Sequence, residues 1–129
     1  MNITGEKKQV DKSSKEVFDF ISIPSNHEKL MPSDLSKFES TDSGYSFQLN
    51  GMPNVALKLK ETTPNSQIIF TSAKESLDFD LIVNLSEISD KSTEVQLVFE
   101  GKFNPFIKMM VEKPLTSFIT ALSNNLNKM

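Results

Sequence analysis

The chain has 129 residues, a net charge of −3 and no cysteine, which suits one domain and excludes disulfide staples and thiolate metal sites. Every basic residue is lysine and the pI is about 5.2, so the basic stripe and the arginine forks of a nucleic-acid binder are missing and such a partner is excluded. Ten phenylalanines and six methionines stand against one tyrosine and no tryptophan, a bias towards interior packing rather than exposed polar recognition.

Met1–Val10 is polar and lacks the apolar stretch of a signal peptide. Nothing in the chain approaches the roughly 18 apolar residues of a membrane span. These features predict a soluble, cytoplasmic protein. Asn2–Val10 reads as a first strand with Val10 pointing inward. Ser13 followed by Glu16 has capping-box spacing, and Val17, Phe18, Phe20 and Ile21 continue with helical period until Pro24. Asn26–Met31 predicts a second short helix ending at Pro32.

From Leu35 to Phe103 the period changes to two. Tyr45, Phe47 and Leu49 alternate with polar residues up to the turn at Asn50-Gly51. Val55, Leu57 and Leu59 lead to a second turn at Thr63–Ser66, followed by Ile68 and Phe70. Leu77, Phe79, Leu81, Val83 and Leu85 form the longest alternation, and Val95, Leu97 and Phe99 close the series. With the short run around Phe38, this makes about six strands with one apolar and one wet face, the signature of an antiparallel meander.

The last segment returns to helical period. Asn104 suits an N-cap and Pro105 the first helical position. Ile107, Val111, Leu115, Phe118, Leu122 and Leu126 form a continuous stripe that Phe106, Met109, Met110 and Ile119 widen. Such a helix, roughly 22 residues and about 33 Å long, crosses a sheet, and Pro114 inside it predicts a kink. No repeat, linker or low-complexity stretch divides residues 1–129, which read as a single domain. The expected fold is α+β: a curved antiparallel sheet of about seven strands wrapped around the C-terminal helix, with two short helices after the first strand.

Val10–Ile21 and Asn104–Met110, the latter leading to Lys113-Pro114-Leu115, resemble the START-like (SRPBCC) superfamily, and in particular its small uncharacterised Bacteroidetes-type members. The first segment matches the family's opening strand running into a VFDFI-type helix, and the second its last helix. The resemblance covers the whole chain in element order, but its motifs are structural and carry no catalytic residues. It implies a helix-grip fold with a hydrophobic ligand cavity between sheet and C-terminal helix. The side chains that would line such a cavity are Tyr45, Phe47, Leu57, Phe70, Phe79, Leu81, Leu97, Phe99, Phe106, Met109, Met110 and Phe118. Periodicity alone is equally satisfied by a filled core.

Other chemistry-bearing residues have plainer readings. His27, the only histidine, has no partner pattern nearby and reads as a surface residue rather than a general base. Asp78 and Asp80 share a strand face but alternate with Phe79 and Leu81, which puts them on the wet side rather than in a cation or acid–base site. Tyr45 is in phase with the inward residues; an ordinary strand-end tyrosine reaching solvent is preferred over one bonding a ligand's polar end. The C-terminal helix lacks the Lys-rich polar face of a membrane-surface helix. No residue pattern calls for a catalytic centre, a metal or a cofactor. The sequence favours a binder of a small hydrophobic or lipid-like molecule, with a polyketide cyclase-like enzyme and a non-catalytic interaction module as alternatives.

Overall fold

The computed structural model describes residues 1–74 and 77–129. Eight strands form one antiparallel sheet: β1 (Asn2–Thr4), β2 (Lys8–Val10), β3 (Leu35–Ser40), β4 (Gly44–Leu49), β5 (Val55–Thr63), β6 (Gln67–Ser72), β7 (Asp78–Ser89) and β8 (Ser92–Lys102). Their order is β1-β8-β7-β6-β5-β4-β3, with β2 also on β8, so β3 to β8 are a meander whose neighbours in sequence are neighbours in space. The single opening strand expected from Asn2–Val10 is split in two. At the break, the Gly5 amide donates to the Leu97 carbonyl at 2.8 Å, and a Cβ on Gly5 would stand 2.7 Å from Ser123 Oγ. The chain therefore passes directly beneath the C-terminal helix, α2 (Pro105–Asn125).

Between β2 and β3 lie helix α1 (Ser14–Ser22) and a 3-10 helix, Pro24–Leu30. The capping box is complete: Ser13 Oγ accepts from the Glu16 amide at 3.1 Å, and Glu16 Oε1 accepts from the Ser13 amide at 3.2 Å. This start sets the phase that buries Val17 and Ile21. Pro24 then stops the α-helix, and the following turn tightens to 3-10 geometry.

Turn chemistry sets the strand pairing. Gly51 and Asn65 hold positive φ at 82° and 64°, the conformation that glycine and asparagine adopt at least cost. On the long β7–β8 ladder, Leu81 faces Phe99, Val83 faces Leu97 and Leu85 faces Val95, so a slip of one residue would turn the three of the slipped strand into water. Asp78 and Asp80 lie on the outer face as expected, where Lys60 Nζ pairs with Asp80 at 3.3 Å.

The inner face closes on α2. Asn104 Oδ1 accepts from the Ile107 amide at 2.9 Å, and the helix continues through Pro114. Val111, Leu115, Phe118, Ile119, Leu122 and Leu126 are buried against the sheet. The far end is fastened by Asn125 Nδ2, which donates to the carbonyls of Leu30 and Met31 at 3.0 and 3.3 Å. Phe106, Met109 and Met110 do not widen the buried stripe. They are 71, 80 and 55% exposed, because at 100° per residue they fall on the side of the helix opposite Val111, Leu115 and Phe118.

Candidate functional site

The space between sheet and helix divides into a packed end and an open end. At the packed end Phe47 and Phe118 stack with ring centroids 4.6 Å apart and planes 15° from parallel. Beside them Tyr45 packs edge-on against Phe70 at 5.6 Å and stacks on Phe38 at 5.4 Å. His27 completes this cluster, 4.7 Å from the Tyr45 ring and 4.9 Å from Phe70.

The structure corrects the readings of both polar aromatics. His27 is 2% exposed and Tyr45 3%, so neither reaches solvent. The 3-10 helix turns His27 inward onto β4, bringing together two residues 18 positions apart. His27 Nε2 lies 2.8 Å from the Ile21 carbonyl, and Nδ1 lies 3.1 Å from the Tyr45 hydroxyl. A carbonyl can only accept, so Nε2 carries the proton and Nδ1 accepts from the tyrosine O–H. Burial pushes the imidazole down to about 4, against the pull of the Ile21 carbonyl, and pushes the Tyr45 phenol up. Both are neutral at neutral pH, and each satisfies the other. This is a polar staple that joins the 3-10 helix and end of α1 to the sheet.

The open end lies under the first half of α2. A cavity of about 30 Å³ there is lined by Met52, Pro53, Val55, Leu77, Phe79, Phe99, Phe103, Val111 and Leu115. All nine are apolar. Phe79 and Phe99 stack across β7 and β8 at 5.1 Å, and Phe103 packs on Phe99 at 6.2 Å. The volume is about that of one water molecule in the liquid, yet the nine described lining side chains offer water no hydrogen bond. Next to it is a groove of about 310 Å³, lined by Pro32, Asp34, Leu49, Asn50, Met52, Lys113, Pro114, Ser117 and Phe118. Met52 borders both spaces.

The residues expected to line a cavity therefore part company. Phe79 and Phe99 line the small cavity, and Phe118 forms part of the groove. Tyr45, Phe47, Leu57, Phe70, Leu81 and Leu97 are buried in the core and border neither space. Phe106, Met109 and Met110 face solvent on the back of α2. Sequence reasoning missed Met52, Pro53, Val55, Leu77, Phe103, Val111 and Leu115 as lining residues. Val55 and Val111 had been read only as core positions, while Met52 lies in the β4–β5 connection, where no periodicity marks it. Among the described residues no group of three or more His, Asp or Glu side chains is placed to hold a metal ion, and no helix is long and apolar enough to cross a membrane.

No protein-family model and no curated protein matches the chain. Solved structures do. A START superfamily protein from Mycobacterium smegmatis aligns over 98% of this chain and 94% of its own, with TM-score 0.67 and 12% identity. A conserved protein from Geobacillus kaustophilus aligns over 99% and 93%, with TM-score 0.71 and 12% identity. Norcoclaurine synthase from Thalictrum, a point mutant in complex with a transition-state analogue, aligns over 96% and 92%, with TM-score 0.69 and 14% identity. At these identities the likeness is one of fold. The chain has the START-like (SRPBCC) helix-grip fold.

Proposed function

We propose that the protein binds a small hydrophobic or lipid-like molecule at the open end of the grip, between the sheet and the first half of α2. The observation that carries this reading is the lining of the space beneath that half-helix, which among the described residues contains no polar side chain. The buried polar residues Ser14, His27, Ser92, Thr93 and Ser123 all lie outside it. An enzyme of the cyclase type needs polar groups converging on its substrate, so this lining favours binding over chemistry.

A cavity of about 30 Å³ holds no lipid, since ligand sites run to roughly 300–1,000 Å³. Binding therefore requires the Met52 side chain to swing aside and the first half of α2 to ride outward. Both moves are cheap. Methionine repacks readily, and the first half of the helix buries only Val111 fully. Apolar burial at about 25 cal/mol per Å² then supplies the affinity.

The test is ligand titration followed by amide chemical shifts, with mass spectrometry of whatever co-purifies. Medium-chain alcohols and acids should shift the amides of Phe79, Phe103 and Val111 and raise the melting temperature. A panel of fatty acids, fatty alcohols and isoprenoid alcohols that moves none of these, with nothing bound on purification, would end the reading.

A further inference from the structure

We propose that the groove beside Met52 is a head-group site and that it selects a carboxylic acid carrying a hydroxyl or ammonium donor next to the acid group. This rests on the reading above, that an apolar tail enters under α2, and adds the chemistry of the other end.

The groove is amphipathic across its depth. Its floor is Leu49, Met52 and Phe118, all buried, and Met52 leads from it into the apolar cavity. Its rim carries Asp34, Asn50, Lys113 and Ser117. Three separate parts of the chain bring these four together: the segment before β3, the β4–β5 connection, and the third and fourth turns of α2. None of the four side chains makes a hydrogen bond or ion pair with another described residue. Their neighbours do otherwise: Gln48 donates to the Met52 carbonyl at 3.2 Å, Thr116 to the Glu112 carbonyl at 2.8 Å, and Lys108 pairs with Glu112 at 3.7 Å. The polar groups around this one apolar floor are left with their full bonding capacity.

Their chemistry sets the complement. Lys113, on α2, offers three N–H donors and a positive charge, while Asp34, just before β3, accepts only and is negative. Ser117 and Asn50 can donate or accept. A plain fatty acid would meet Lys113 well but Asp34 badly, a plain amine the reverse, and an alcohol would leave Lys113 without an anion. A β-hydroxy or α-amino acid meets both residues. Its carboxylate goes to Lys113 with Ser117, its donor goes to Asp34 with Asn50, and its tail runs over Met52.

Four ten-carbon probes separate the head group from the tail: β-hydroxydecanoate, decanoate, decanol and decylamine, each titrated by calorimetry into the intact protein at neutral pH and low salt. β-Hydroxydecanoate should bind at least tenfold more tightly than the other three. Lys113→Gln should remove about tenfold of that affinity and leave decanol unchanged. Asp34→Asn should narrow the gap between β-hydroxydecanoate and decanoate by relieving the repulsion of the plain acid. Both residues are exposed, so neither variant threatens the fold. Equal binding of all four probes, or an acid affinity indifferent to Lys113→Gln, overturns the head-group assignment while leaving the apolar tail site standing. Failure of every probe to bind overturns both.

Discussion

The two halves of α2 are nearly equal in grease and opposite in use. The first half carries Phe106, Ile107, Met109, Met110 and Val111, and the second carries Leu115, Phe118, Ile119 and Leu122, with Leu126 at its C-cap. The second half puts every one of its large apolar side chains into the core, where Phe118 stacks on Phe47 and Asn125 ties the end to the 3-10 helix. The first half buries Val111, half-buries Ile107 and turns the rest to solvent. Rotational phase decides this, not hydrophobicity: residues one position apart in sequence stand 100° apart around the axis. One end of the helix is packed into the core, and the other lies over a small void whose described lining is wholly apolar.

The largest effect expected from this contrast is at the anchor. Phe118→Ala should cost about 3–5 kcal/mol, the usual loss for a buried phenylalanine that leaves a cavity. Urea unfolding would measure it. A loss below about 1 kcal/mol would mean that the Phe47–Phe118 stack is not the keystone of the packed end.

The second effect is one of pH. His27 titrates near 6.5 when unfolded and at about 4 when folded, so the unfolded chain binds its proton first. Stability is therefore full above about pH 6.5 and falls as the pH drops towards 4, by roughly 3 kcal/mol in all. Most of the loss should be seen above about pH 5, before carboxylates protonate. His27→Gln should start less stable and show a flatter profile across that window. A wild-type midpoint unchanged between about pH 7 and pH 5 would break the assignment of a neutral, sealed imidazole.

A smaller effect comes from the void itself. Val111→Ile adds one methylene where there is a cavity of about 30 Å³, and should stabilise by about 0.8 kcal/mol while weakening every apolar probe. Destabilisation would show that the void is already closed in solution. The least effect is expected on the back of the same half-helix. Phe106→Ser, Met109→Ser and Met110→Ser should each change stability by less than about 0.5 kcal/mol, as exposed positions do. A cost of several times that would mean that this face is covered after all.

Much of the fold could be read directly from the chain because its signals are local. The capping box at Ser13 and Glu16, the alternation from Phe79 to Leu85 and the stripe from Ile107 to Leu122 each lie within one element, and each appears where its pattern puts it. The site was far less legible. Met52 belongs to no periodic run, and its role comes from standing where groove and cavity meet. His27 looked like a surface residue because its partners, Tyr45 and Phe70, arrive from strands far along the chain.

The sequence by itself determined the order of elements, the inward faces of the strands and the stripe by which α2 meets the sheet, since hydrophobic period is a property of neighbours along the chain. Only the tertiary structure decided whether the grip is full or hollow: it is filled around Phe47 and Phe118, and beside Phe79 and Phe99 it leaves a void of only about 30 Å³. That outcome depends on how far the sheet stands from α2 at each point along its length. Distances of that kind are set by the closure of the whole molecule, not by any one segment.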